Sequence, residues 1–414
     1  MESSYKIAGM DVHKKMLAVV IRDVAQVGEF RFERRKFATG AMELPALAQW
    51  LAEQEVREAV MESTAQYWKP VGQALEGQCR RQLAQAHSNR APKGRKRDFA
   101  DAERLVRRQV AGELILSFVP DPEQRLWRTL TRTKQPWTRD RVRLQNQLEG
   151  LLEEARIKLS SHVSDLLGLS GRTMLQALAD GENDPVQIAK LAAPGLRASQ
   201  KQLADAMSAA ATLSPLHRQI MKLFLQRLKL IETQMDALES MVAEQLRPFQ
   251  DAVKRLAEVP GLGADSAQQI MAEVGPRAAT FPSPDQRASW VGCCPGREES
   301  AEVSTSDSSP KGNKHMRRLL SQAANAAVKA KGSVFEILYR RLAPRRGHFK
   351  AIWAVAHRLC RIIWKILHEG VDYEERGYRT NPHAVQKRTN RLVRELRRLG
   401  YQVQLTSSKA GAPA

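Results

Sequence analysis

Residues 7–21, IAGMDVHKKMLAVVI, hold two runs of strand character, Ile7–Val12 and Met16–Ile21, separated by His13-Lys14-Lys15. That pattern predicts a β-hairpin. Asp11 falls at the inner end of the first run, where a strand bound for a core has no use for a charge. A lone Asp there reads as the end of the strand and the start of the turn, so any other role depends on partners elsewhere. Outward from this hairpin, GEFRFERRKFA, from Gly28, alternates apolar and charged residues as a third strand with one solvated face would. ELPALAQWLAEQ then sets Leu44, Leu47, Trp50 and Leu51 at helical spacing, and VREAVMES follows as a short fourth strand.

Three strands, a helix and a further strand are the opening of an α/β ribonuclease-H-like (RuvC-like) domain. In that order the first and fourth strands are neighbours, and their ends carry Asp11 and Glu62. From Pro92 the chain turns basic in PKGRKRDFADAERLVRRQ, where a helix beginning near Asp98 places Asp98 and Asp101 on one face. Four carboxylates able to converge suit a hard divalent cation, which takes oxygen ligands and can polarise a phosphoryl oxygen. Spacing alone serves equally well for solvated acids paired with Lys93, Arg95, Lys96, Arg97, Arg104, Arg107 and Arg108.

The composition narrows the function classes. With 414 residues, 43% hydrophobic and 27% charged, the chain is long enough for two or three globular domains. Its 66 Lys and Arg against 45 Asp and Glu leave a net charge of +21. Such a balance suits a phosphate backbone, whose condensed counterions are released by bound cations. No long apolar run supports a membrane partner, and MESSYKIAGM lacks the layout of a secretory signal, so the expected location is cytoplasmic. Cys79, Cys293, Cys294 and Cys360 have neither the count nor the spacing of a zinc site or disulfide framework, and read as reduced, mostly buried thiols.

Further on, residues 138–160 form an amphipathic helix with Leu148, Leu151, Leu152 and Leu159 on its apolar side. Ile220, Phe224, Leu228, Ile231, Met235, Leu238, Val242 and Leu246 recur at steps of three and four, a seam for another helix, and Pro248 kinks or ends it. Periodicity allows packing within one chain or a coiled coil between two. PGLG, residues 260–263, before a helical pattern resembles the turn of a helix-hairpin-helix module, in which Gly261 and Gly263 let backbone N–H groups approach a phosphate. Ser300, Ser304, Ser306, Ser308 and Ser309 lie in a polar loop, with Lys311, Lys314, Arg317 and Arg318 following. The loop reads either as a flexible linker or as the place of a serine nucleophile with cations to stabilise a transferring phosphate.

Taken in order, GMDVHKK, MESTAQYWKP, KRDFADAERL, SFVP, NQLEGLLEEARIKLSS, PGLG and WVGCCPGREES followed by KGNKHMRRLLSQAA resemble the insertion-sequence transposases of the insertion sequence 110 type. These join a RuvC-like DEDD domain to a C-terminal serine domain and act as bridge-RNA-guided recombinases. The resemblance runs from about Ile7 to about Ala330. It implies a RuvC-like catalytic domain over residues 1–135, a long helical or coiled-coil oligomerisation region over 136–255, a mainly α serine domain with a helix-hairpin-helix-like element over 256–335, and a basic helical extension with a disordered tail over 336–414.

The same resemblance implies that Asp11, Glu62, Asp98 and Asp101 bind Mg²⁺ and that Ser300 attacks DNA. Lys93, Arg95, Lys96, Gly261, Gly263, Lys311, Lys314, Arg317 and Arg318 are the candidate nucleic-acid contacts. The implied partners are donor and target DNA, a structured guide RNA encoded by the element, and further copies of the chain as dimers and tetramers, in a prokaryotic, nucleoid-associated setting without a membrane. Members commonly have a Lys or Arg soon after the serine, whereas Ala301, Glu302, Val303 and Ser304 follow here, which makes Ser304 the next candidate. A stand-alone DEDD nuclease acting on branched DNA, or a non-catalytic nucleic-acid-binding protein, are the competing readings.

Overall fold

The computed structural model describes residues 5–24, 31–63, 65–85, 89, 97–294, 298–300, 303–306, 309–377 and 382–405. The chain forms two compact units, Met1–Pro122 and Glu123–Ala414. In the first, strands β1 (Lys6–Val12), β2 (Met16–Asp23) and β3 (Glu33–Ala38) are followed by helix α1 (Glu43–Glu53), β4 (Val56–Ser63), α2 (Trp68–Ala74), β5 (Arg80–Ala84), α3 (Asp98–Val110) and the short β6 (Leu116–Ser117). The sheet order is β3-β2-β1-β4-β5-β6. β1 runs antiparallel to β2 and parallel to β4, which is in turn parallel to β5. A mixed six-stranded sheet of this order with helices on both faces fits a ribonuclease-H-like DEDD domain.

Alternation along β1 decides which residues meet which helices. Ala8, Met10 and Val12 join Leu17, Val19 and Met61 in a core closed by Leu44, Leu47 and Leu51 of α1 and Val71 of α2. Ile7, on the other face, joins Val20 and Val60 under Ala102, Leu105 and Val106 of α3. Gly9 shares that second face. A Cβ there would stand 2.4 Å from the Ala102 carbonyl oxygen and 2.7 Å from Val106 Cγ2, so α3 lies against the bare backbone of β1. Asp11, two residues on, points to the same side.

The second unit begins with α4 (Pro122–Glu154), which runs through Pro136. α5 (Leu169–Asp180), α6 (Pro185–Lys190), α7 (Gln200–Ala206) and α8 (Pro215–Gln245) follow. Leu144, Leu148, Leu151 and Leu152 of α4 pack with Met174, Leu175 and Leu178 of α5 and with Met221, Leu225, Leu228 and Ile231 of α8. Leu228, Ile231, Leu238, Val242 and Leu246, expected as a seam, are therefore buried inside one chain. The helix ends at Gln245, ahead of a 3₁₀ turn containing Pro248.

The remainder comprises α9 (Gln250–Ala257), α10 (Ala264–Val274), α11 (Pro284–Val291), a two-stranded hairpin of β7 (Glu298–Ser300) and β8 (Val303–Ser306), α12 (Lys314–Ala327), α13 (Val334–Glu369) and α14 (Pro382–Arg398). α13 bends at Gly347, whose φ of 76° is not helical. Its second half buries Ile352, Val355, Leu359, Ile363 and Ile366. Among the described residues no helix is long and apolar enough to cross a membrane.

Candidate functional site

β1 and β4 are parallel and in a register that sets Asp11 directly beside Glu62. α3 brings the other two acids over the same sheet face, because Asp98 and Asp101 both lie in its first turn. Carboxylates are locally favoured there, next to the positive end of the helix dipole. Their placement over Asp11 depends on the close approach that Gly9 permits.

The four acids are held in two pairs. His13, from the turn after β1, places Nε2 3.0 Å from Asp11 Oδ2 and 3.8 Å from Asp98 Oδ1. Lys36 of β3 donates to Asp98 Oδ2 at 3.1 Å. On the other side, Asn89 donates its amide to Glu62, and Arg104 donates to Asp101. Arg104 Nε also reaches the Asn89 carbonyl at 3.1 Å and its side-chain oxygen at 3.2 Å, tying these two contacts together.

Burial, followed by the charges of Asp101 and Glu62, raises the Asp11 carboxyl above the ordinary carboxylate range against the opposing pull of His13. Like charges gathered in a partly dry cleft repel one another, and a cation between them relieves that repulsion. Asp11, His13 and Asp98 each offer a ligand atom, all within 4.8 Å of one another. A set dominated by carboxylates suits a hard divalent ion, and the imidazole adds one nitrogen donor. The residues present thus fit such a metal. Lys93, Arg95 and Lys96 lie outside the described residues.

The second candidate region is organised by its glycines. Gly292 caps α11 with φ of 75°, and a Cβ on it would stand 2.4 Å from the Pro310 carbonyl oxygen. At Gly312 a Cβ would stand 2.1 Å from the Val291 carbonyl oxygen. The chain therefore leaves α11 and returns to α12 through one tight crossing. Beyond it Ser300 pairs with Val303 and Glu299 with Ser304 across the β7–β8 ladder. The side chains of Ser300 and Ser304 lie outside what is described.

Arg317 fastens this crossing. Its guanidinium donates to the carbonyl oxygens of Gly292 and Pro310, the latter at 2.9 Å, and sits 4.4 Å from the Trp353 ring centroid. Arg318 donates to Gln269 Oε1 at 2.8 Å, whereas Lys311 and Lys314 are exposed. Gly261 is half-buried: a Cβ on it would stand 2.3 Å from the Ala323 carbonyl oxygen, so the turn before α10 packs on α12. Gly263 has open space beside it, and its N–H donates to Ser266 Oγ.

Sequence reasoning did not single out several residues around these sites. His13, Lys36 and Asn89 engage the acids, and their types signal nothing unless the fold is known, whereas Arg104 was among the cations expected to pair with the acids and does so with Asp101. Gly9 carried the clearest signal, a glycine inside a strand two residues before the acid. Glu273, 2% exposed in α10, accepts from Arg132 at 2.8 and 2.9 Å and from Asn313 at 2.9 Å. Arg128 Nε lies 3.6 Å from it. Burial alone would raise the Glu273 carboxyl, but the Arg132 hydrogen bonds and the charges of Arg128 and Arg132 hold it below the ordinary range.

Matches to known proteins cover both regions. Residues 8–157 match the profile of the DEDD transposase of IS110 type, described as a transposase, and this span contains all four acids. Residues 253–340 match the transposase IS116/IS110/IS902 family and contain Ser300 and the glycine crossing. The chain is also similar to the insertion element IS110 uncharacterized 43.6 kDa protein of Streptomyces coelicolor, 26% identical over 147 residues, or 35% of this chain and 34% of that protein. That match spans about a third of the relative's length. Two profiles met in order along one chain, each enclosing one candidate region, show that it belongs to the IS110-type insertion-sequence transposases.

Proposed function

We propose that this protein is an insertion-sequence recombinase that cuts and rejoins DNA through a covalent link to Ser300. The observation that carries the reading is the pairing of Asp11 with Glu62 beneath the first turn of α3, in the same chain as the serine hairpin. Ser300 Oγ attacks a backbone phosphorus and forms a phosphoserine. The sugar 3′-oxygen leaves, takes a proton and becomes a hydroxyl. A 3′-hydroxyl from the strand to be joined then attacks the same phosphorus and releases the serine. The phosphate bond energy is kept in the link, so no nucleotide triphosphate is needed.

Asp11, Glu62, Asp98 and Asp101 would hold Mg²⁺, with His13 at their edge. A divalent cation there would neutralise the phosphate and polarise its oxygens. In the composite site that the resemblance to the family implies, the acids of one protomer act with the serine of another, and a structured guide RNA pairs with donor and target DNA. Leu216, Leu223 and Leu230 support self-association, since they recur every seventh residue on α8 and are 65%, 57% and 56% exposed. Arg345, Arg346 and Lys350, exposed around the bend of α13 beside an 86% exposed Phe349, suit a nucleic-acid strand, with phosphates on the cations and a base on the ring. The turn between α9 and α10 would contribute through Gly263, in the manner of a helix-hairpin-helix.

The test is to incubate the protein with RNA transcribed from the flanks of its element, labelled donor and target DNA, and Mg²⁺. A protease-sensitive protein–DNA adduct is expected, lost in Ser300→Ala and in Asp11→Asn. Nicked DNA without an adduct, unchanged in Ser300→Ala, would replace this reading with a stand-alone nuclease.

A further inference from the structure

Two of the four acids are tied together by an enclosed relay. Arg104, one turn along α3 from Asp101, donates to that carboxylate, and its Nε reaches the Asn89 carbonyl and side-chain oxygens at 3.1 and 3.2 Å. The Asn89 amide nitrogen in turn donates to Glu62. Both ends of the amide are engaged, its oxygen by a cation and its nitrogen by an anion, and this fixes which way it points. Asn89 is 1% exposed and the Arg104 side chain 21%. The other two acids meet at an exposed imidazole. Asp11, Asp98 and His13 form the 4.8 Å group of ligand atoms, which leaves out Glu62 and Asp101.

We propose that the site takes one divalent ion, on Asp11, Asp98 and His13 Nε2, and that Arg104 is its built-in second cation, serving Asp101 directly and Glu62 through Asn89. The assignment rests on the reading of these acids as a metal site and adds to it a stoichiometry, a nitrogen ligand and two positioning residues. A two-metal site sets its second ion about 3.5–4 Å from the first. The carboxylates left for such an ion, Glu62 and Asp101, already have their positive partner. The two cations at the acids differ in how readily they yield. Lys36, on Asp98, is a half-exposed point charge on a flexible stem, which an arriving ion can displace. Arg104 is a planar fork held on three oxygens, and drawing it off would break charge-assisted hydrogen bonds in a nearly dry relay.

A guanidinium differs from an ion in two ways that bear on the site. It keeps its charge at any working pH, and it is not lost to dilution or to a chelator. Arg104 thereby offsets part of the repulsion among the four carboxylates permanently, and Asn89 carries that effect across to β4, where Glu62 lies in register with Asp11. The chain then has a single exchangeable cation at its acids, bound at the edge where His13 is exposed.

Mn²⁺, which shares the oxygen-ligand preference of Mg²⁺ and is paramagnetic, is the probe. It is titrated into the full chain without nucleic acid, so the result is separate from whether Ser300 forms an adduct. Calorimetry is expected to count one ion per chain in the wild type, and pulsed electron paramagnetic resonance to show coupling to one imidazole nitrogen that is lost in His13→Gln. Arg104→Gln removes the charge and should raise the count to two, while Arg104→Lys should return it to one. A merely structural Arg104 would change stability and leave the count alone. The wild-type count and coupling need no variant. Two ions in the wild type, a count of one in folded Arg104→Gln, or a nitrogen coupling that is missing in the wild type or survives in His13→Gln, overturns the proposal. A wild-type chain that binds no Mn²⁺ overturns the metal reading itself, whereas two bound ions overturn only the role of Arg104.

Discussion

Replacing Gly9 with alanine tests whether one missing side chain sets the distance between the acids. The new Cβ would meet the Ala102 carbonyl oxygen at 2.4 Å, and ordinary contact begins at 3.4 Å, so α3 must retreat by about 1 Å. Val106 Cγ2, at 2.7 Å, can rotate aside, but a helix carbonyl cannot. Overpacking of this kind costs ~1–3 kcal/mol. The same shift carries Asp98 and Asp101 away from Asp11, and a misplacement of that size can cost on the order of 10²-fold in rate. Urea unfolding gives the first quantity, and single-turnover adduct formation, at a temperature where both proteins are folded, gives the second. Gly40→Ala is the control, because nothing lies within 4 Å of its added Cβ. If Gly9→Ala unfolds like wild type and forms adduct within a few-fold of it, α3 is not positioned by that contact, and the account of the site is wrong.

Three further outcomes are expected. Asp11 has its carboxyl raised in the folded chain, so the folded state binds that proton more tightly than the unfolded one, and ionised Asp11 destabilises the fold at neutral pH; Asp11→Asn should therefore melt higher than wild type in EDTA yet gain less from added Mg²⁺, as differential scanning fluorimetry would read. Glu273→Gln should cost about 3–5 kcal/mol in urea unfolding by leaving Arg128 and Arg132 around a neutral group. Because Glu273 is held below its ordinary range, its contribution is complete above about pH 4.3 and is lost as pH falls through the lower folded value, so the wild-type and mutant urea midpoints should converge in acid. Arg317→Gln should reduce adduct yield while leaving the salt dependence of DNA binding intact, since its guanidinium is engaged with Gly292, Pro310 and Trp353; Lys314→Ala, at an exposed cation, should flatten that dependence instead.

The first sheet was legible because its strands are short, apolar and punctuated. The expected hairpin around His13-Lys14-Lys15 forms, β1 and β4 are neighbours, and α3 begins at Asp98. Pattern could not supply the pairing of charges. The cations after Pro310 look alike in sequence, yet Arg317 closes a backbone crossing while Lys311 and Lys314 face solvent. Gly261 read as a turn glycine, and the packing of α12 against its α-carbon, which leaves no room for a side chain, was not legible. Helical spacing on α8 foretold burial without naming the partner, which for Leu228 and Ile231 is the same chain. A helix was expected over 138–160, whereas α4 starts at Pro122, because Pro136 reads locally as a break although the helix continues through it.

The crossing at Gly292 and Gly312 separates two requirements that a nucleophile on a loop would otherwise have to satisfy together. Where the hairpin starts is set by two backbones touching and by Arg317. How far it extends is set by the residues between them. With Ser300 as the proposed nucleophile, a change in that segment would alter its reach toward a strand of DNA without disturbing the helices behind it. The stem works like the fixed end of a cantilever, and selection can lengthen, shorten or restiffen the beam while the mounting stays the same.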